Sequence, residues 1–177
     1  YPGLRVVTID AGDLGEREAE LTDPDRVGAL LRAVCDEAGA GPVMVAGQSY
    51  GGLAALEAGL RSDVPVDEFV AQSPSLWWGG ARRGVGEGTL MGDLRVGLVK
   101  PRQGVRLRLQ VGTLEETMRP VVDDCAELLR RQGADVELDH YRSGHDVAWW
   151  REGLVRALDE WEPSHMLTRN ETAQVNA

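Results

Sequence analysis

Short apolar runs alternate with segments of helical periodicity along most of the chain. Consecutive or alternating apolar residues predict five strands, and apolar residues spaced three and four apart predict four helices. The strands are expected over residues 4–9, 42–46, 67–71, 105–111 and 136–141, and the helices over residues 26–38, 50–60, 120–132 and 147–161. This alternation is typical of an α/β fold built on a parallel sheet.

Two regions fall outside the regular alternation. Residues 73–104 separate two predicted strands and contain eight glycines. So long a connection is uncommon and often functional, and a short helix is expected in it around residues 90–99. Pro163 is expected to end the last helix, and the polar residues 164–177 are predicted to be disordered. We therefore expect one domain over residues 1–163, followed by a tail over residues 164–177.

Composition narrows the classes of function. The 177 residues include 19 basic and 29 acidic side chains, a net charge of −10, so no nucleic-acid partner is expected. No apolar run is long enough to predict a membrane span. Cys35 and Cys125 are far apart and form no cluster with histidines, so they are expected to be reduced thiols in a reducing compartment. No metal site is predicted, and the composition predicts no oligomeric state.

The strongest motif is Gly47-Gln48-Ser49-Tyr50-Gly51, a G-x-S-x-G sequence. It follows a predicted strand and opens a predicted helix, which is the context in which this motif carries a nucleophilic serine. Small neighbours are needed because strand and helix approach closely around a strained serine. The sequence therefore predicts Ser49 as a nucleophile and the backbone amide of Tyr50 as an oxyanion donor.

A serine nucleophile needs a base, and the base is usually oriented by an acid. His145 lies between the last predicted strand and the last predicted helix, where such a base is expected, whereas His140 lies in or at the end of a strand and is expected to be structural. Glu115 and Glu116 directly follow the strand over residues 105–111, and either could be the acid. The chain order of serine, acid and histidine is typical of α/β-hydrolases.

Four segments together resemble the enterochelin (ferric enterobactin) esterases. Residues 43–56 resemble that family's nucleophile region, and residues 71–78 resemble its Q-S-x-S-x-W-W segment. Residues 144–154 resemble its G-H-D…W-R-x-G-L ending, and residues 9–21 resemble its I-D…R…E-L segment. The resemblance implies a serine esterase of the α/β-hydrolase fold, with three αβα layers around a mostly parallel sheet. Such an enzyme hydrolyses the trilactone of a catecholate siderophore and lets iron be released in the cytoplasm.

The resemblance also implies roles for individual residues. By motif match, Ser49 is the nucleophile and His145 is the base. Glu115 matches the acid better than Glu116 does, because the family's loop reads G-x-x-E. The iron travels with the substrate, so the resemblance implies neither a catalytic metal nor a cofactor.

The implied substrate also suggests which side chains bind it. A ferric tris-catecholate is an aromatic trianion, and arginine with tryptophan suits such a ligand through charge and cation–π contact. The residues expected to bind it are Trp77, Trp78, Arg82, Arg83 and Arg17. The alternative for the loop arginines is that they only solvate a glycine-rich loop.

The sequence departs from the family at its beginning. The chain starts at Tyr1 without an initiator methionine, and the family's opening strands and its L-L-D-G segment, expected to supply the second oxyanion donor, have no counterpart in it. We therefore expect an N-terminally truncated α/β-hydrolase in which the strand over residues 4–9 lacks a neighbour. The alternative functions are a general carboxylesterase or acyltransferase of the same fold and a non-catalytic truncated chain.

Overall fold

The computed structural model describes residues 4–10, 12–39, 41–79 and 89–175, with side chains up to Trp161 apart from that of Leu14. The strands in these residues are β1 (Met44–Gln48), β2 (Glu68–Gln72), β3 (Arg106–Gly112) and β4 (Asp135–Tyr141). The helices are α1 (Leu14–Leu21), α2 (Pro24–Ala38), α3 (Tyr50–Arg61), α4 (Thr89–Arg95), α5 (Arg119–Arg131) and α6 (Val147–Val175). The strands and helices thus alternate as predicted from β1 onward.

The four strands form one sheet in the order β1-β2-β3-β4, and every neighbouring pair is parallel. Helices α3, α4 and α5 lie in the connections between successive strands. Because all four strands run in the same direction, their carboxyl ends meet at one edge of the sheet. The predicted α/β class with a parallel sheet is therefore confirmed.

The core surrounds the two central strands. Every residue of β2 and all but the first residue of β3 are buried. Leu56 of α3, Phe69 of β2 and Leu129 of α5 are almost fully enclosed, and burying each such side chain contributes about 1.5–3 kcal/mol relative to leaving it exposed. This packing makes β2 and β3 a firm support for the segments that follow them.

The strand predicted over residues 4–9 is wrong. Residues 4–10 form neither strand nor helix, and Val6 is 72% exposed. A strand needs a neighbour for its backbone amides and carbonyls, and in the described part of the chain β1 pairs with β2 alone. The segment is tied instead to α2, where a guanidinium nitrogen of Arg5 lies 3.2 Å from the Glu37 carboxylate.

Helix α1 was not predicted from the sequence. Its N-cap is Asp13, whose carboxylate accepts hydrogen bonds from the amides of Gly15 and Glu16 at 2.9 and 3.1 Å. Asp13 followed three residues later by Glu16 is a known signature of a helix start. The signal was therefore present, but eight residues with few apolar positions show no periodicity that could support it.

The two remaining helices differ in how well they were predicted. The short helix expected around residues 90–99 is confirmed as α4, although it begins and ends earlier. Helix α6 begins at Val147 as predicted but continues to Val175, so its predicted end at Pro163 is wrong and most of the expected tail is helical. A proline removes one amide donor from a helix, which weakens or bends the helix without always ending it. The domain boundary at residue 163 stays a prediction.

Candidate active site

Side chains with catalytic chemistry gather where the strands end. Ser49 directly follows β1, Ser73 directly follows β2, and Glu115 and His145 lie in the segments after β3 and β4. The outer edge at the carboxyl ends of parallel strands is where open α/β sheets bind ligands. The sheet therefore assembles residues from four distant parts of the chain at one place.

Ser49 occupies a strained turn between β1 and α3. Its φ is 55° and its ψ is −115°, a conformation that non-glycine residues rarely adopt. A Cβ on Gly47 would lie 2.1 Å from the carbonyl oxygen of Gly51, and a Cβ on Gly52 would lie 2.8 Å from that of Gln72. A Cβ on Gly51 would meet nothing within 4 Å. Space therefore requires glycine at positions 47 and 52, although position 52 lies outside the pentapeptide motif.

The hydroxyl of Ser49 does not cap the helix that it precedes. Ser49 is the N-cap of α3, yet its side chain makes no capping hydrogen bond, and its Oγ lies 3.3 Å from Oγ of Ser75. Its backbone amide donates to the carbonyl of Gln72 at 2.9 Å. The amide of Tyr50 begins the first turn of α3, where amides lack partners within the helix. This amide and the positive end of the helix dipole suit a negative charge developing beside Ser49.

His145 and the buried carboxylate of Glu115 form an acid–imidazole pair. Nδ1 of His145 lies 2.9 Å from Oε2 of Glu115. The side chain of Glu115 is 2% exposed and that of His145 is 38% exposed, so the imidazole faces solvent while its partner does not. Glu116 is exposed, and the hydrogen bonds among the described side chains join Glu115 to His145. They do not join His145 to Ser49, and such bonds are often long until substrate is bound.

The start of α6 holds His145 from its other side. The imidazole ring packs against Trp150 in a T-shaped arrangement, with ring centroids 4.6 Å apart and planes at 89°. Asp146 begins the helix, because its Oδ1 accepts a hydrogen bond from the amide of Ala148 at 3.1 Å. A hydrogen bond from the Ser143 hydroxyl lowers the pKa of Asp146, which keeps this capping carboxylate ionised.

A row of polar side chains crosses the sheet just inside the site. Gln48, Gln72, Gln110 and Asp139 are neighbours in register on the four strands. Their side chains bond in turn, with donor–acceptor distances of 3.2, 2.7 and 3.2 Å. The amide of Gln72 also donates to the carbonyl of Trp150 at 2.7 Å, so this row attaches the sheet to α6. The sequence did not predict it, because it depends on strand register.

An aromatic group lies beside the nucleophile. The rings of Tyr50 and Trp77 are 6.0 Å apart, and Trp77 is 46% exposed. The indole nitrogen of Trp78 donates to one oxygen of Glu18 at 3.2 Å, and the Tyr50 hydroxyl donates to the other at 3.4 Å. Burial and then the Glu18 carboxylate raise the pKa of Tyr50. Trp77 thus contacts the ring of Tyr50, the residue after Ser49, and Trp78 is linked to Tyr50 through Glu18.

The predicted arginines are placed less directly. Arg17 is exposed on α1, and the hydrogen bonds among described side chains join its neighbour Glu18, and not Arg17, to the aromatic group. Arg82 and Arg83 lie outside the described residues. Glu18 was not predicted from the sequence, because α1 itself was not predicted.

The other titratable groups have different surroundings. His140 lies 2.6 Å from a carboxylate oxygen of Asp123 at the surface. Among the described residues, no three His, Cys, Asp or Glu side chains are grouped so that they could hold a metal ion. Within the residues that the structure describes, no helix is long and apolar enough to cross a membrane.

Comparison with known families assigns the chain to a protein family. The Esterase family model, described as "Putative esterase", matches residues 25–161. The chain belongs to this esterase family. It is 36% identical over 121 residues to the iron(III) enterobactin esterase of Escherichia coli K12, and 34% identical over 119 residues to the iron(III) salmochelin esterase of Escherichia coli O6:H1 strain CFT073. These matches cover 68% and 65% of this chain but 30% and 29% of those proteins.

Solved structures of the family show the same fold. A crystal structure of the enterobactin esterase from Shigella flexneri, obtained in the presence of enterobactin, superposes with a TM-score of 0.73 at 32% identity, over 87% of this chain and 41% of that one. A second, with 2,3-dihydroxy-N-benzoyl-serine, gives a TM-score of 0.74 at 34% identity, over 87% and 42%. The expected α/β-hydrolase fold is therefore confirmed. The chain spans about 30% of the length of the curated relatives it matches.

Proposed function

We propose that this member of the esterase family hydrolyses the ester bonds of a catecholate siderophore such as ferric enterobactin. One observation carries the proposal: a strained serine and an imidazole paired with a buried carboxylate share the carboxyl edge of one parallel sheet. Membership of the esterase family supports ester hydrolysis, and relatives named as enterobactin and salmochelin esterases support the class of substrate. Iron enters this reaction as part of the substrate.

The reaction follows from the roles we assign. Oγ of Ser49 attacks the ester carbonyl while Nε2 of His145 takes the serine proton, because Nδ1 is occupied by Glu115. The carbonyl oxygen becomes an oxyanion that accepts a hydrogen bond from the amide of Tyr50. The carbon–oxygen bond of the ester then breaks, and His145 gives the proton to the leaving alcohol. Water, deprotonated by His145, cleaves the acyl-serine to a carboxylic acid and restores Ser49.

We assign the acid to Glu115 and not to Glu116. A carboxylate bound to Nδ1 fixes the tautomer that leaves Nε2 free, and it stabilises the imidazolium formed during attack. The 2.9 Å contact and the burial of Glu115 support this role, whereas the exposed Glu116 faces solvent.

The substrate contacts we propose are Trp77, Trp78 and the arginines. Trp77 offers an exposed ring next to Tyr50, which suits stacking with a catecholate. Arg17, Arg82 and Arg83 are proposed to neutralise the trianion. With a net charge of −10 on the chain, an anionic substrate needs such a local basic group, because the overall field repels it.

The test uses the full-length gene product and two serine variants. Ser49→Ala removes the nucleophile and is expected to lower turnover of ferric enterobactin by at least about a thousandfold. The matched control is Ser62→Ala, because the Ser62 hydroxyl donates to the carbonyl of Ala58 at 2.6 Å at the far end of α3, about 20 Å along the helix from Ser49. Undiminished turnover by Ser49→Ala would overturn the proposal. Faster hydrolysis of p-nitrophenyl butyrate than of ferric enterobactin would support a general carboxylesterase instead.

We also propose a cytoplasmic location. The unpaired, buried Cys35 and Cys125 support it, because thiols stay reduced in that compartment. Cell fractionation with an antibody against the protein tests this, and recovery in the periplasmic or membrane fraction would contradict it.

A further inference from the structure

Ser73 is a second serine held in a strained conformation at the sheet edge. Its φ is 43°, and Ser49 and Ser73 are the only non-glycine residues with a positive φ in the part of the chain that the structure describes. Such strain persists only where surrounding contacts hold it, and it is concentrated at functional sites. The mechanism proposed above gives Ser73 no role, although its φ is positive like that of the nucleophile.

The Ser73 hydroxyl is the centre of a buried hydrogen-bond network. Its Oγ lies 2.6 Å from Oε1 of Glu115. The indole Nε1 of Trp150 donates to the same Oγ at 3.0 Å, and the Tyr141 hydroxyl lies 2.8 Å away. Ser73 is fully buried, so these protein groups, and not solvent, determine where its hydroxyl points.

The protons of this network all lead to one carboxylate oxygen. An indole nitrogen can only donate, so the proton of Trp150 points to Ser73, and the single proton of Ser73 points to Oε1 of Glu115. Tyr141 then donates to Ser73, and burial raises the pKa of Tyr141 to about 12, so this donor keeps its proton. The amide of Gly112 donates to the same Oε1 at 2.8 Å. Oε2 is thereby left to His145.

We propose that Ser73 is a positioning residue for the acid–imidazole pair. Its hydroxyl fixes the carboxylate of Glu115 so that Oε2 orients His145 toward Ser49. Through the indole of Trp150, which packs edge-on against the imidazole at 4.6 Å, it also supports the other side of the same ring. This inference rests on the proposed function, because it assigns His145 as the base.

The first test removes the hydroxyl in two ways in the full-length gene product. Ser73→Ala keeps the strained backbone, whereas Ser73→Gly relieves it, since glycine adopts a positive φ without cost. A hydrogen bond to a buried carboxylate is lost in both, so kcat is expected to fall by about 10- to 100-fold in both while KM changes less than about twofold. Wild-type kcat in Ser73→Gly would show that only the backbone matters and would overturn the inference.

A double-mutant cycle tests whether Ser73 acts through Glu115. In a Glu115→Ala background the carboxylate is absent, so adding Ser73→Ala is expected to lower kcat by less than about twofold. If the two changes instead multiply, Ser73 acts independently of the acid and the positioning role is wrong. Ser62→Ala is the matched control for loss of a serine hydroxyl elsewhere.

The labelling rate of Ser49 by a fluorophosphonate separates this inference from the proposed substrate. If the wild-type protein is labelled but does not hydrolyse ferric enterobactin, the proposed substrate is wrong, while slower labelling of Ser73→Ala still supports the positioning role. Labelling of Ser73→Ala at the wild-type rate would overturn that role whatever the substrate. A wild-type protein that is not labelled at all would overturn both.

Discussion

The close approach of α3 to β2 makes one methyl group a sensitive probe of the nucleophile turn. In Gly52→Ala, the new Cβ would lie 2.8 Å from the carbonyl oxygen of Gln72, 3.2 Å from that of Gly47 and 3.2 Å from Cα of Pro74. Ordinary contacts of a Cβ begin near 3.4 Å. All three atoms belong to the backbone, so no side-chain rotation relieves the clash and either helix or strand must move.

The expected loss in the free energy of unfolding can be worked out by comparison with Gly51→Ala. Both positions lie in the first turn of α3, so both variants share whatever a helix gains when alanine replaces glycine. Only the Gly52 variant forces overpacking, which costs about 1–3 kcal/mol. Moving the Gln72 carbonyl also weakens its 2.9 Å hydrogen bond from the amide of Ser49, worth about 1 kcal/mol. We therefore expect Gly52→Ala to be about 2–4 kcal/mol less stable than Gly51→Ala.

Urea denaturation followed by tryptophan fluorescence measures this difference directly. For a chain of this length, the expected gap corresponds to roughly 4–16 °C in Tm. Labelling of Ser49 by a fluorophosphonate is also expected to slow in Gly52→Ala, because the Gln72 carbonyl helps to hold the serine turn. Equal stability of the two variants would refute the argument that position 52, outside the motif, is where the turn needs glycine.

Three further predictions concern other groups of the site and sheet. Glu115→Gln is expected to lower kcat by at least about tenfold and Glu116→Gln by less than about twofold, measured as ester turnover. Burial raises the pKa of Tyr141 from 10 to about 12, so its neutral form stabilises the fold fully below pH 10. That contribution to the free energy of unfolding is lost as the pH rises from 10 to 12. Urea denaturation should therefore show that Tyr141→Phe loses less stability than the wild-type protein over this pH range. Arg108→Met should cost about 3–5 kcal/mol, because Glu68 loses its 3.0 Å partner, and adding Glu68→Met should recover most of it.

The sequence could predict that Ser49, Glu115 and His145 meet at one edge of the sheet, because each lies within four residues of the end of a recognisable strand. Ser49 stands in a motif whose strand–turn–helix context is local in sequence, and His145 precedes a clearly periodic helix. The choice between Glu115 and Glu116 was different. It depends on which of two adjacent side chains points inward after β3, and a turn of the backbone at Gly112 decides that, where the amide binds the Glu115 carboxylate at 2.8 Å.

The roles of residues that depend on a partner far away in the chain could not be predicted from the sequence. Glu18 meets Trp78 across 60 positions, and Ser73 meets Trp150 across 77. Neither pairing has a local pattern, since a serine after a strand or a glutamate on a short helix is ordinary on its own. The apolar run over residues 4–9 failed for the opposite reason: its pattern is that of a strand, but a strand also requires a hydrogen-bonding neighbour.

The row of polar residues across the sheet explains how the histidine is kept in register with the serine. Buried strands are normally apolar, yet Gln72 and Gln110 are almost fully buried and each donates to a carbonyl of α6, at Trp150 and Gly153. A Cβ on Gly153 would lie 2.5 Å from Oε1 of Gln110, so a larger residue there would displace the Gln110 side chain from its present position. Helix α6 is therefore attached to the sheet by hydrogen bonds. Hydrogen bonds are directional, so they fix the orientation of α6 on the sheet, whereas apolar contacts do not. Ser49 follows β1 and Ser73 follows β2, and both strands belong to this row. The register of the strands therefore sets the position of the base relative to the nucleophile.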